Sequence, residues 1–532
     1  MRTLTGTGSL IRLYLRLDRV RLTIWSLALG VIPVATANAF QELYATEASR
    51  LELAATVSSN PAFTALLGPL YDPSIGGLTA WRVGSLGALL VGLMAVLTMI
   101  RHTRDDEETG RRELLGSTVV GRNAPLAAAL AVTIGAGLVI GAIIAAGLTA
   151  LGLDLGGSVA FGAGFAAVGM AFAAVGAYAA QATQAGSTGR GLGVGIVGLF
   201  FVLRMAGDAS SGLGWLSWLS PIGWFTRMRP FAGERWWVFA LWIALLLALT
   251  AVAIAVQSRR DVGEGAIAPR PGPERGKESL RSPSGLAWRL QRGSLAGWTI
   301  GLGVIGVVYG AAGDGIADLL EDSPQLAEIF EQMGGAETLT NTFFSAAVGI
   351  IALIAGAYSI RSVLKLRSEE DTLSSELVLA TAISRGRYAV SHLLYGLAGP
   401  ILILAVAGAL AGATYGAIVG DVAGETPRVL AAAMAHLPAV WVLTGSAMAL
   451  YGLVPRLASL SWGLLALFLI LGQLGQILQF PQWSLNLSPF SHIPMIWGDQ
   501  VPVMPFVILA AISGTLIAAG VAGFDRRDIP YS

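Results

Sequence analysis

The residues best placed to do work in this chain are carboxylates and arginines in a segment that occurs twice. RHTRDDEETGRRELLGSTVVGR occupies 101–122, and EDTLSSELVLATAISR occupies 370–385. Glu107-Glu108-Thr109 aligns with Glu370-Asp371-Thr372, Glu113-Leu114 with Glu376-Leu377, Thr118 with Thr381 and Arg122 with Arg385, each 263 positions apart (370 minus 107). Acidic residues favour a helix amino terminus and a closing arginine favours its carboxyl terminus. Each copy therefore predicts a short surface helix, with Leu114, Leu115 and Thr118, or Leu377, Val378 and Thr381, on one side. An apolar ridge on a charged base suits docking rather than bond-making, and two equal ridges suit a partner with two equivalent surfaces. Surface helices that merely rest on lipid headgroups are the plainer alternative.

Other chemistry has little to work with. There is no cysteine, which removes disulfides and thiolate chemistry, and His102, His392, His436 and His492 lie too far apart for a metal-ligand spacing. The stretch Gly272-Pro273-Glu274-Arg275-Gly276-Lys277-Glu278 imitates a phosphate-binding loop, but it is one residue short and has Glu278 where a hydroxyl is needed. A net charge of +1 gives no general affinity for nucleic acid.

The elements that must position the repeated segments are membrane helices. Of 532 residues 13% are charged, against about 25% in soluble domains, and 54% are hydrophobic. Apolar runs of the roughly 20 residues needed to cross about 30 Å of hydrocarbon recur throughout. They predict spans at 23–41, 78–100, 124–152, 156–181, 190–205, 236–256, 296–313, 342–362, 390–416, 429–451, 457–479 and 501–523. The first run follows a basic, amphipathic lead-in, as a signal peptide might, and is read here as a span because it belongs to the repeated pattern. A Gly, Pro and Arg-rich stretch divides the spans six and six, giving a first half at 1–256, a linker at 257–283 and a second half at 284–532. Abundant Gly and Ala predict close helix packing, and Gly191 to Gly195 is one such spacing.

Placing the amino end inside the cell puts 27 of the 34 Lys and Arg on that face; the other seven are Arg50, Arg82, Arg204, Arg227, Arg229, Arg235 and Arg428. Both termini are then cytoplasmic, in the plasma (inner) membrane. Acidic segments at 42–77 and 314–341 fall outside and are expected to form short surface helices or plain linkers. A second echo supports duplication: Leu219-Ser220-Pro221 precedes the sixth span and Leu487-Ser488-Pro489 the twelfth. Halves with an even number of spans run the same way through the membrane, so a pseudo-two-fold along the membrane normal relates them.

No acidic residue lies deep in a predicted span; Asp154 falls in a turn, and Arg82 and Arg204 lie near ends. That weighs against an ion-coupled carrier, which remains an alternative together with a membrane scaffold that docks a cytoplasmic enzyme. A passage between apolar halves offers no charged ring for an ion and suits a bulky hydrophobic or amphipathic molecule. Candidate passage residues are Met94, Gln181, Gln184, Phe200, Phe201, Phe343, Phe344, Phe468, Gln473 and Gln476, each equally readable as packing or lipid contact.

Acidic residues, then Glu-Leu-Leu or Glu-Leu, then a Thr-containing turn closing on Arg between the second and third spans, resemble the coupling segment of ABC-2 type permeases. The twelve-span Gly/Ala-rich layout resembles actinobacterial exporters of polyketide antibiotics, tetronasin-resistance permeases among them. The resemblance implies an all-α polytopic membrane protein of type V ABC exporter-like fold, with two tandem six-helix bundles. It further implies a permease with no nucleotide site of its own, served by a separate ABC ATPase, in two copies per chain, that binds ATP and Mg. Coupling would fall on 107–122 and 370–385. Lead-ins at 9–22 and 284–295 would be amphipathic connecting helices, and 209–231 and 480–499 re-entrant external helices. One departure stands out: Gly110, Arg111 and Arg112 face Leu373, Ser374 and Ser375, so the two contacts differ electrostatically.

Overall fold

In a computed structural model the regular structure of the described residues is all helical, and those residues are 2–59, 61–209, 211–260, 264–266, 276, 278–313, 335–473, 481–494, 496–497 and 501–527. It divides into two compact units, Met1–Gly272 and Pro273–Ser532.

The first unit runs α1 (Thr7–Leu17), α2 (Arg19–Leu43), α3 (Glu47–Ser59), α4 (Pro61–Leu67), α5 (Ile75–Ile100), α6 (Arg111–Gly116), α7 (Ala124–Ala150), α8 (Leu155–Ala182), α9 (Gly186–Ala209), α10 (Pro221–Met228) and α11 (Phe239–Arg259). The second runs α12 (Pro283–Ala312), α13 (Gly335–Asp371), α14 (Ser374–Leu379), α15 (Arg385–Val419), α16 (Val422–Ala435), α17 (Leu437–Leu453), α18 (Leu460–Gln473) and α19 (Met504–Arg526). Eleven described helical stretches are long and apolar enough to cross a membrane, six of them in the first unit and α16 with α17 counting as one, Val422–Leu453. A twelfth apolar helix, Leu460–Gly472, is shorter; the expected span at 457–479 continues into 474–480, outside the described residues.

Local chemistry sets the helix ends. The Ser74 hydroxyl accepts the Gly77 N–H at 3.1 Å and opens α5, and Asp154, expected in a turn, accepts the Gly157 N–H at 2.8 Å and opens α8. Both Ser-Pro echoes prove to be caps: Ser220 accepts from Ile222 and Gly223 at 3.2 Å at the start of α10, and Ser488 accepts from Phe490 at 3.3 Å before a 3-10 turn. Proline at the first helical position has no N–H to leave unpaired. The expected tenth span breaks into α16 and α17 at His436, because Pro438 cannot continue the hydrogen-bond ladder.

The small-residue packing is real where backbones meet. A Cβ on Gly141 of α7 would lie 2.4 Å from the Gly162 carbonyl oxygen of α8, and one on Gly306 of α12 2.3 Å from that of Ala407 on α15. Gly191 and Gly195, by contrast, face nothing within 4 Å, so that spacing makes no close helix crossing.

Two expectations are corrected. The segment 101–122 is not a surface helix throughout: helix continues from Ile75 to Glu108, 34 residues, through a π-turn at Arg101–Asp105. At 1.5 Å per residue this is about 50 Å, longer than the hydrocarbon layer. Likewise α13 carries 361–371 as its own extension, so only α6 and α14 are short surface helices. The lead-ins also differ. The first is separate, broken at Asp18, whereas 284–295 is the first part of an unbroken α12 of 30 residues. The segment 42–77 forms α3 and α4 as expected; most of 314–341 lies outside the described residues.

Both surface helices follow a left-handed residue, Gly110 at φ 71° and Leu373 at φ 58°. Glycine adopts this region freely, whereas an L side chain costs about 1–2 kcal/mol there. Leu373→Gly is therefore expected to raise stability by about 1 kcal/mol, read as a small increase in Tm in detergent, while Gly110→Leu lowers it. A destabilised Leu373→Gly would count against the shared backbone geometry.

Candidate functional site

In the first unit α6 stands on an ionic base built from α5, the loop between α8 and α9, and the end of α11. The Glu107 carboxylate is fully enclosed and takes Arg104, Arg112 and Arg260, the last through Oε2 at 3.0 Å and Oε1 at 2.9 Å. Three guanidiniums around one carboxylate compensate its desolvation, which one pair alone would do poorly. Burial, and then the charge of Arg260, lowers the pKa of Arg112 to about 10, so it stays charged at neutral pH. Burial also lowers that of Arg260.

Around this centre the neighbours are tied in turn. Arg104 Nε donates to the Gln184 carbonyl at 2.6 Å, Glu108 accepts the Gly186 N–H at 2.9 Å, and Asp105 accepts Arg190 Nη1 at 2.6 Å. The last two acidic groups sit at the amino end of α9, where helix dipole and free N–H groups favour negative charge. Arg122 donates to the carbonyls of Gln257 at 2.7 Å and Arg260 at 3.3 Å, and the Gln257 amide donates back to the Arg122 carbonyl at 2.8 Å. Asp18, at the break between α1 and α2, holds His102 at 2.7 Å and Arg101 at 3.0 Å, and Tyr14 stacks on His102 at 4.2 Å. Burial alone would raise the pKa of Asp18; the His102 hydrogen bond and the charges of His102, Arg101 and Arg21 hold it below the ordinary value. Burial pushes the Tyr14 phenol up.

The second unit repeats three of these ties, with the repeated-segment residue 263 positions on and its partner 267 or 271 positions on. Arg367 donates to the Pro455 carbonyl at 2.9 Å, as Arg104 does to Gln184, in the loop between the fourth and fifth helices. Glu370 pairs with Arg527, and Arg385 donates to the Arg527 carbonyl, as Glu107 and Arg122 do with Arg260. Thr109 and Thr372 both bond back to the carbonyl four residues earlier, at 2.9 and 3.0 Å. The difference lies in the base: Ser375, buried and unbonded, stands where Arg112 is, and the neighbouring Glu369 accepts Tyr388 and His392 instead. His392 continues to Gln291 at 3.2 Å. Most of the expected electrostatic asymmetry is therefore internal, and what reaches the surface is Arg111 against Ser374.

The repeated residues thus sort into two groups. Glu107, Glu108, Arg122, Glu370 and Arg385 are tied to other parts of their own unit, Glu107 buried, Glu370 and Arg385 partly so, and Glu108 and Arg122 at the surface. Glu113, Leu114, Thr118, Leu377 and Thr381 are exposed, with Leu114 at 74%, Val119 at 87% and Leu377 at 79% accessible; Asp371 is exposed and Glu376 partly so. Leu114, Val119 and Leu377 thus lie outside the core, on the exposed side of an ionic base.

The candidate passage residues do not converge within either unit. Met94, Phe344 and Phe468 are core side chains, and Phe344 packs edge-on against Phe343 and Tyr415. Phe200 touches Phe172, and Phe201 lies beneath Arg204. Gln181 belongs to the ionic base, accepting from Arg260 Nε at 2.7 Å, and Gln184 is exposed. The Gln473 side chain and all of Gln476 lie outside the described residues. Among the described residues no group of three His, Asp or Glu side chains converges as a metal set.

Sequence reasoning missed the partners Arg260 and Arg527, although an Arg-Arg pair closes both last helices of the units. It also missed a buried cluster at the opposite end of α9. There Asp208 accepts Arg204 at 2.8 Å, Ser217 at 2.8 Å and Arg227 at 3.0 Å, while Arg204 also donates to the Leu66 carbonyl at 2.8 Å. The i, i+4 spacing of Arg204 and Asp208 in an apolar run was its signal.

Eleven described helical stretches long and apolar enough to span, with ionic ties near their ends, make this a multi-pass membrane protein. The family model described as multidrug efflux system permease Rv1217c, C-terminal domain, matches residues 280–525. Over 527 residues, 99% of this chain and 95% of its relative, the sequence is 44% identical to multidrug efflux system permease protein Rv1217c of Mycobacterium tuberculosis. The chain belongs to this family of multidrug efflux permeases.

Proposed function

We propose that the chain is the membrane-spanning subunit of an ATP-driven ABC exporter that moves hydrophobic or amphipathic drugs out across the plasma membrane. The observation that carries this reading is the construction shared by both units. A six-residue helix follows a left-handed residue, exposes a leucine, and is tied through Glu and Arg to the end of the unit's last helix. Force applied at such a tip passes into spanning helices rather than into a loose loop. A separate ATPase, with ATP and Mg in its own sites, would seat one copy on α6 and one on α14. Both termini then face the cytoplasm, as does the basic face.

The exposed leucines separate docking from folding. Leu114→Asp with Leu377→Asp places charge on the tips and touches no internal tie, so membrane insertion and Tm should stay unchanged. Copurification with the ATPase should fall at least tenfold, because a charge in the centre of an apolar contact costs more than about 1.4 kcal/mol. Drug-stimulated ATP hydrolysis in liposomes should disappear with it. Undiminished copurification and stimulation in the double variant would overturn the docking reading.

A further inference from the structure

The first unit holds a cleft that the ionic base does not use. It lies where α1 breaks from α2, has a volume of about 360 Å3, and is lined by Asp18, Arg21 and Arg101 together with Val20, Ile24 and Trp25. Its charges are unbalanced. Asp18 is engaged by His102 from the unit's interior and by Arg101 from the cleft. Asp105, the other carboxylate near Arg21, is paired with Arg190. Arg21 is half-buried and has no hydrogen-bond or ion-pair partner among the described residues. A half-buried guanidinium with no carboxylate of its own is open to donating a charge-assisted hydrogen bond to an anion.

The walls say what kind of anion. Val20 and Ile24 are largely exposed, and they continue the outward apolar face of α2 through Leu27 and Val31. On the other side of the break, Leu13 and Leu17 of α1 are exposed too, beside the exposed Arg12 and Arg16. An amphipathic helix of this kind lies in the headgroup layer, so the cleft opens where a lipid's phosphate meets its acyl chains. We infer that this cleft binds an anionic phospholipid, with the phosphate on Arg21 and Arg101 and an acyl chain along Val20 and Ile24. An ethanolamine or choline headgroup gains nothing here, because the one lining carboxylate is already paired.

The inference rests on the membrane reading of α2 and not on an ATPase, so it is tested on the purified full chain alone. Native mass spectrometry would follow retained lipid after exchange into detergent containing equal phosphatidylglycerol and phosphatidylcholine. Wild type should retain phosphatidylglycerol preferentially. Arg21→Gln should lower that retention about tenfold, the loss of a charge-assisted contact to the phosphate. Arg21→Lys should keep most of it, and Arg19→Gln, which removes a charge from an exposed position outside the lining, should leave it unchanged. Ile24→Asn, which spares both guanidiniums, should also weaken retention and provides a second test should Arg21→Gln fail to fold. Equal retention of the two lipids, an identical loss in Arg19→Gln, or displacement of phosphatidylglycerol by inorganic phosphate at matched concentration would each overturn the inference.

Discussion

Glu107→Gln should destabilise the first unit by about 3–5 kcal/mol, the range for removing one partner of a buried charge cluster. The glutamine fills the same volume but leaves Arg104, Arg112 and Arg260 converging on a neutral group, with their mutual repulsion no longer offset. The matching change in the second unit, Glu370→Gln, should cost about 1–2 kcal/mol. Its ion-pair partner among the described residues, Arg527, is partly accessible and can turn to water. Thermal unfolding in detergent would report the two shifts, and Arg260→Gln should fall between them, since Glu107 keeps two arginines. Equal shifts for Glu107→Gln and Glu370→Gln would contradict the three-against-one geometry. Under the proposed docking on α6, Glu107→Gln also separates binding from coupling: a loosened base with Leu114 intact should retain a docked ATPase and transmit its motion poorly.

How much of this was legible in the sequence follows from what each signal measures. Hydropathy reports the lipid-facing part of a helix, so the spans emerged close to their observed positions, yet every charged extension was cut off. Backbone hydrogen bonding ignores side-chain charge, which is why α5 and α13 run on through Arg101–Asp105 and 361–371. The repeat was legible as a pattern but not as a division of labour. Glu107 and Glu113 look alike in sequence, and only the fold shows that one faces three arginines and the other solvent. Arg260 lies 153 positions from Glu107, a separation over which one sequence gives no pairing signal. Arg104 and Arg367 share the 263-residue offset and could have been matched from it, but their acceptors, Gln184 and Pro455, do not. The fused α12 could not, since the break that frees α1 depends on Asp18 meeting Arg101 and His102 in space.

Asp208→Ala should be as damaging as the loss of Glu107, at about 3–5 kcal/mol, and by the same cause at the other end of α9. Asp208 is completely enclosed and neutralises Arg204, also completely enclosed, together with Arg227. Without the carboxylate, Arg204 remains in an apolar surround with the Leu66 carbonyl as its remaining hydrogen-bond acceptor. Replacing the pair by Arg204→Met with Asp208→Leu should recover most of the loss, leaving about 1–2 kcal/mol, because well-packed apolar side chains commonly substitute for buried ion pairs. Arg227 is partly accessible and can reach water in the double variant. The comparison of Tm values decides whether the cluster matters for charge or for shape: a double variant as unstable as Asp208→Ala would mean shape. Since Glu108 and Asp105 fasten the amino end of α9 and Asp208 its carboxyl end, α9 is the helix of this unit tied at both extremities. Hydrogen exchange in Asp208→Ala should therefore rise over 61–67 and 216–228, which Asp208 and Arg204 hold directly. At 111–116 it should rise only if α9 carries displacement from one end to the other.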